Sequence, residues 1–369
     1  MKIASSALHL ASVLTVVGFS WVSRKKVFYC AAIKKNRIAL DHLARSSGAS
    51  TWVPLLPYSF GSKQGRITRL AARMALRIWR RANRANLVFV HWGSSWNRRL
   101  GFDPRTEGFE SIYLEDDLIG FGATQNRPIA GYLCDARGIY YDGRNPSELE
   151  GLLQAYESGS WRQDAAEAEF VSLMSENVQH KYAEYSLESP HELHSGDVLV
   201  MGQVANDAAW INTNSGVADN PDLVAKAVEI LGGSGRIFFK AHPRWSGIRA
   251  DREKIENMHP EVIHLAPEAN FKSMLRNRPK VVVNTSGTGL DAGLAGCEVY
   301  SFGASFYSGW GATRDLLFER NDGRGNVLSF EDIYVVVNLH YTRRFLRSTF
   351  KDATTADLVA FLASRSAVQ

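Results

Sequence analysis

The chain has 369 residues, 45% of them hydrophobic and 22% charged, with a formal net charge of +5. These values exclude a disordered or low-complexity chain and suit a globular protein with room for two domains. The three cysteines, Cys30, Cys134 and Cys297, are far apart and lack metal-ligand spacing, so they read as reduced core thiols of a cytoplasmic protein.

Ala7 to Val22 is apolar but interrupted by His9, Ser12, Thr15 and Ser20. It falls short of the roughly 20 residues a spanning helix needs and lacks a basic start and a small-residue cleavage site. It is expected to form a buried or interfacial helix, with a membrane anchor as the alternative. Residues 27–33, VFYCAAI, predict a buried strand, followed by a helix from about Arg37 to Ala44 and a second apolar run from Thr51 to Leu56. Arg66, Arg69, Arg73, Arg77, Arg80 and Arg84 then recur at three- and four-residue steps, with Ile67, Leu70, Met74 and Ile78 on the other side. This basic amphipathic helix either has a simply solvated face or docks on an anionic membrane surface or an acidic glycan. Nucleic acid is not expected, because the rest of the chain has no basic-aromatic surface pattern.

Strands are predicted at Leu87 to Val90 and Ser111 to Leu114, each leading into polar residues: His91-Trp92-Gly93-Ser94 in the first case, Glu115-Asp116-Asp117 in the second. Ligands bind at that edge of an open α/β sheet. Gly138 to Asp142 reads as a further strand, and Ser147 as the cap of a helix beginning at Glu148. A polar helical pattern runs from about Trp161 to Glu188, and a loop with Pro190 suggests a domain boundary near 195. A fresh run of β/α units follows: a strand at Asp197 to Gln203, a helix from about Asp219 to Leu231, and a strand at Arg236 to Lys240 ending in Lys240-Ala241-His242-Pro243-Arg244-Trp245.

Lys280 to Asp315 is the densest stretch. Val281 to Val283 predicts a strand, Asn284-Thr285-Ser286-Gly287-Thr288-Gly289 a polar turn, Leu290 to Ala295 a helix and Glu298 to Phe302 another strand. Such a turn suits a phosphate or carboxylate at a helix N-terminus, here through Thr285, Ser286 and Gly287. A capped turn is the plain alternative, and the two are compatible. In the aromatic-glycine patch that follows, Tyr307 and Trp310 would either wall a ligand site or belong to the core.

Several of these motifs, in this order, resemble the KpsC/LpsZ capsule polysaccharide biosynthesis family of retaining β-Kdo glycosyltransferases. They are Trp92-Gly93, Glu115-Asp116, Gly138 to Asp142 with Pro146 to Glu150, Val198 to Val200 with Gly202-Gln203-Val204 and Asp207, His242-Pro243, Thr285-Ser286, and Phe306 to Asp315. The resemblance implies an α/β fold of GT-B type, two Rossmann-like domains facing a cleft. Residues 1–195 would form the acceptor-side domain and 196–369 the CMP-sugar domain, with the final helix packing back on the first. It implies transfer of 3-deoxy-manno-octulosonic acid (Kdo) from CMP-Kdo to a lipid-linked or glycan acceptor, in the cytoplasm or peripherally at the inner membrane, with no cofactor and no metal.

Within that family reading, Asp207 would carry the covalent sugar and Glu115 would activate the acceptor hydroxyl. Asp116 and Gln203 would line the site, and Lys240 and His242 would neutralise the departing phosphate. On the residues alone, Asp207 equally fits a helix N-cap, Glu115 and Asp116 a solvated loop or salt bridge, and His242 a strand-end histidine. The chain departs from the family where Asp117, Leu118, Ile119, Gly120 and Phe121 replace a run that contains a basic residue, in Ala205-Asn206-Asp207, and at Asp291. These changes keep open a different nucleotide-activated ulosonic sugar, or a catalytically silent paralogue that binds sugar nucleotide or glycan.

Overall fold

The structure, a computed structural model, describes residues 27–31, 37–48, 51–54, 87–93, 105, 108–122, 126–176, 187–205, 207–213, 215–233, 235–316 and 324–366. The N-terminal apolar segment and the helix expected from Arg66 to Arg84 lie outside them. The chain divides into two units.

The first unit comprises the residues up to Asp117, Phe121–Ile139 and Thr342–Asp352. Its sheet contains β1 (Val27–Ala31), β2 (Thr51–Pro54), β3 (Leu87–Trp92), β4 (Glu110–Asp116), β5 (Ile129–Asp135) and β12 (Thr342–Leu346). They lie in the order β12-β5-β4-β3-β1-β2. The first four strands are parallel, while β5 runs antiparallel to both β4 and β12. Every residue of β5 is buried, as befits an interior strand covered on both faces. No strand forms at the expected Gly138 to Asp142. Asp135 Oδ1 accepts from the amides of Arg137 and Gly138 at 2.7 and 2.8 Å, and this Asx-type turn ends the extended run just before it.

The helix Arg37–Ser46 buries Ala39, Leu40 and Leu43 against Val88, Val90, Leu114 and Tyr132. His42, on the same face, is 1% exposed. Its Nδ1 lies 2.9 Å from Tyr132 Oη, its Nε2 3.1 Å from Asp352, and its ring stacks on Phe345 at 4.2 Å.

The second unit comprises Leu118–Gly120, Tyr140–Tyr341 and the residues from Ala353. Its sheet contains β6 (Val198–Met201), β7 (Ile237–Lys240), β8 (Ile263–Leu265), β9 (Lys280–Val283), β10 (Val299–Ser301) and β11 (Arg314–Asp315). All are parallel, in the order β11-β10-β9-β6-β7-β8. Counted along the chain this is 3-2-1-4-5-6, the order of a doubly wound nucleotide-binding sheet. The strands are short apolar runs buried to the last residue in β6 and β7. The helix Asn220–Leu231 covers them with Leu223, Val224, Ala227 and Leu231. Asp219 caps that helix as Oδ1 accepts from Asp222 N at 2.9 Å.

The division differs from a cut at 195. The helix Ala165–Glu176 packs against Phe330–Val335 and Thr355–Ser366, which covers its Phe170, Val171 and Met174 and ties this helix to the C-terminal elements. The final helix therefore packs within the second unit, whereas Thr342–Asp352 returns to the first because β12 pairs with β5. Cys134 and Cys297 are buried and form no disulfide, as expected of core thiols.

Candidate functional site

In the second sheet the strand order reverses between β6 and β9, and ligands of open α/β sheets bind outside the carboxyl ends of the strands at such a point. The residues following those two strands are Gly202-Gln203 and Asn284-Thr285-Ser286. Gly202 allows β6 and β7 to end close together: its amide donates to Lys240 O at 2.9 Å, and an added Cβ would lie 2.9 Å from the Phe239 ring. Gln203 and Thr285 then join across the reversal. Thr285 N donates to Gln203 Oε1 at 2.8 Å, and Gln203 Nε2 donates to Thr285 Oγ1 at 3.2 Å. Gly303, just past β10, seats the threonine methyl, since a Cβ there would approach Thr285 Cγ2 to 2.6 Å.

Asp207 follows β6 and is exposed. It caps the short helix Ala208–Ile211 by accepting from Ala208 N at 2.7 Å. Thr285 Oγ1 donates to Ala209 O in that helix at 3.3 Å. The structure thus brings Gln203, Asp207, Thr285 and Ser286 to one sheet edge, and the N-cap expected for Asp207 is present alongside an open carboxylate.

The turn after β9 is built from below. Ser286 Oγ accepts from Thr288 Oγ1 at 2.8 Å, and Ser286 O accepts from the hydroxyl of Tyr307. Gly289 is required there, since an added Cβ would lie 2.4 Å from that hydroxyl. Gly287 is exposed with nothing within 4 Å of an added Cβ, so its lack of a side chain answers no crowding in the protein itself. Asp291, in the first turn of the helix Thr288–Leu294, has its carboxyl pushed up to about 7 by burial.

Tyr307 and Trp310 do not wall the site. They are 0% and 1% exposed, and the second of the two roles left open for them, core packing, is the one observed. Burial raises the Tyr307 phenol well above its ordinary value and keeps it a donor to the turn. Trp310 Nε1 donates to Phe306 O at 2.9 Å, and Arg324 lies over its ring at 4.7 Å. The Arg324 side chain is 5% exposed and pairs with Glu150 at 2.6 Å. Arg324 belongs to no motif, so nothing in the local sequence marks it.

Lys240 also differs from expectation. It is 7% exposed and donates to Pro267 O at 2.6 Å, so the ammonium anchors the loop after β8. Burial lowers its pKa to about 8. His242, half-buried in the turn after β7, accepts from Arg244 N through Nδ1 at 3.1 Å.

In the first unit, Glu115 and Asp116 end β4. Both are half-buried, and Glu115 Oε1 accepts from Asp116 N at 3.0 Å. Asp117 is fully buried and pairs with Arg344 of β12 at 2.8 Å. A guanidinium from a distant strand thus meets the segment whose local sequence lacks a basic residue. Among the described residues no helix is long and apolar enough to cross a membrane.

Residues 160–326 match the model of the family "Capsule polysaccharide biosynthesis protein". The chain is 31% identical over 307 residues to the capsule polysaccharide modification protein LipA of Neisseria meningitidis serogroup B, an alignment covering 78% of this chain and 41% of LipA. It is 26% identical over 286 residues to the lipopolysaccharide-processing protein LpsZ of Rhizobium meliloti, covering 75% and 64%. The chain therefore spans well under half of LipA. Two solved structures from Thermosulfurimonas dismutans share the fold. KpsC, beta Kdo 2,7 transferase, matches at TM-score 0.64 and 18% identity over 93% of this chain and all of that one. KpsC, beta Kdo 2,4 transferase, matches at TM-score 0.65 and 22% identity over 92% and 98%. Motif order, strand order and these matches together make the chain similar to the KpsC/LpsZ-like capsule polysaccharide biosynthesis proteins.

Proposed function

We propose that the chain is a retaining glycosyltransferase that moves Kdo from CMP-Kdo to a glycan or glycolipid acceptor in surface polysaccharide synthesis. The observation that carries this is the Gln203–Thr285 pair at the reversal point of a 3-2-1-4-5-6 sheet, with the exposed carboxylate of Asp207 beside it. The capsule family match spans this edge, and both structural relatives are named as Kdo transferases.

The Thr285-Ser286 turn and the His242 turn hold the phosphate of CMP, whose single negative group needs charge neutralisation but no bridging metal of the kind a diphosphate often uses. Asp207 attacks the anomeric carbon of Kdo, and the bond from that carbon to the phosphate oxygen breaks with its electron pair leaving on CMP. The acceptor hydroxyl then displaces Asp207 and gives its proton to Glu115, at the end of β4. Two displacements return the original anomeric configuration. The GT-B arrangement of the two units and action without a cofactor belong to the same proposal, as does a cytoplasmic location with membrane or glycan contact through the Arg66–Arg84 segment.

A panel of CMP-activated and other nucleotide-activated sugars, assayed for nucleotide release with a Kdo-terminated acceptor, tests the donor. Turnover confined to CMP-Kdo supports the proposal. Preference for another sugar, or repeated turnover that needs neither acceptor nor enzyme, overturns it; a single equivalent of CMP released without acceptor is the adduct-forming half of the reaction.

A further inference from the structure

One chain of hydrogen bonds, buried at its centre, crosses the ends of three adjacent strands, β9, β6 and β7. It begins at the Thr285–Gln203 pair. The backbone of Gln203 is in turn bound by the side chain of Asn220 in both directions: Gln203 N donates to Asn220 Oδ1 at 3.0 Å, and Asn220 Nδ2 donates to Gln203 O at 3.0 Å. The same Asn220 nitrogen donates to Asp251 Oδ2 at 2.7 Å. That oxygen takes a second bond from Trp245 Nε1, also at 2.7 Å. Trp245 closes the turn after β7, its amide donating to His242 O at 2.9 Å. The two turns assigned to the donor phosphate are thus connected through the side chains of Gln203, Asn220, Asp251 and Trp245 and the backbone groups they bind.

Packing would not by itself select this arrangement. Asn220 is 0% exposed and Asp251 7%, and a buried carboxylate held by neutral donors costs desolvation that an apolar contact would avoid. A fully satisfied polar network does, however, fix geometry. The indole is seated as well as bonded: a Cβ on Gly247 would lie 2.6 Å from the Trp245 ring. Its orientation is therefore fixed from two sides.

We infer that Asn220, Asp251 and Trp245 are positioning residues for the sugar-nucleotide donor. They set the separation between the His242 turn and the Thr285 turn so that both bear on one phosphate. This rests on the function proposed above. Displacements of the order of 1 Å at such contacts cost up to about a hundredfold in rate, and nothing else in the sequence around Asn220 or Asp251 marks them for the site.

The test is CMP affinity by calorimetry on the full chain, with the thermal midpoint recorded for each variant. Trp245→Phe removes one N–H and keeps an aromatic ring. Gly247→Ala displaces the indole and leaves every hydrogen-bonding group in place. Each variant should weaken CMP binding about tenfold, the scale of one lost bond to a charged group, and raise the donor KM more than it lowers kcat. In a His242→Ala background Trp245→Phe should cost nothing further, because its effect is delivered through the His242 turn. Unchanged CMP affinity in both variants, or an equal loss with and without His242, overturns the inference and leaves the proposed function standing. A wild-type protein that binds neither CMP nor CMP-Kdo removes the function and the inference together.

Discussion

Gln203 and Thr285 hold each other by two hydrogen bonds, one to the backbone amide at 2.8 Å and one to the hydroxyl at 3.2 Å, across the point where the second sheet reverses its strand order. Gln203 is 6% exposed, so the amide side chain has a single use there. Gln203→Glu keeps the shape, removes the Nε2 donor and buries a charge. Expected is a loss of about 1–3 kcal/mol in stability with loss of CMP binding, read from a denaturant midpoint and calorimetry. Full CMP affinity in a folded variant would mean that the pair does not shape the site.

Gly289 and Tyr307 make a second paired test. Gly289→Ala drives a methyl against the phenol and should cost about 1–3 kcal/mol. Tyr307→Phe removes the donor to Ser286 and should cost about 1 kcal/mol. Because the hydroxyl is the nearest atom to the added methyl, at 2.4 Å, the double variant should be more stable than the sum of the two single losses. Simple additivity in thermal denaturation would refute the contact.

Much of the second unit is legible in the chain itself. The run Val281 to Val283, the polar turn after it and the cap at Ser147 are local signals, and each forms where its residues indicate. Strand order is not local. The placement of β6 beside β9 comes from pairing between segments far apart, which no single window encodes. The same reason hides Arg344 as partner of Asp117, and Asn220 and Asp251 as links behind the site. β5 is buried at every residue and so shows no alternation that marks it, while the aromatic run at Gly138 to Asp142 forms no strand because the turn at Asp135 ends the extended run before it. The aromatic patch leaves ligand wall and core both open on sequence, because periodicity does not tell a buried aromatic from a half-exposed one.

The Asp117–Arg344 pair is almost wholly excluded from water, with side chains 0% and 5% exposed. An added Cβ on Gly131 would lie 2.3 Å from Asp117 Oδ2, so the carboxylate sits tightly on the backbone of β5. Arg344→Leu alone should destabilise the first unit by about 3–5 kcal/mol, whereas Asp117→Leu with Arg344→Leu should regain part of that loss. A double variant no better than the single one, by denaturant unfolding, would show that the charges are not coupled.

Asp291 yields a pH dependence. Its carboxyl has a folded value of about 7 against 3.8 for the free group, through burial. The folded state thus favours the neutral acid, so this contribution is complete below 3.8, declines as pH rises and is lost above about 7. Asp291→Asn should remove that decline, and its stability relative to the wild-type chain should rise between those limits. His42 acts in the opposite direction: burial lowers its pKa below 6.5, so its contribution is present above that value and falls as the pH drops beneath it. Stability curves of Asp291→Asn and wild type that run parallel from pH 4 to pH 7 would contradict the Asp291 assignment.

Intact mass of the protein after incubation with CMP-Kdo, without acceptor, tests the transfer chemistry most directly. The account predicts a species heavier by one Kdo unit, formed with release of CMP, discharged on adding acceptor and absent in Asp207→Ala. CMP release and product formation at the wild-type rate in Asp207→Ala would contradict it.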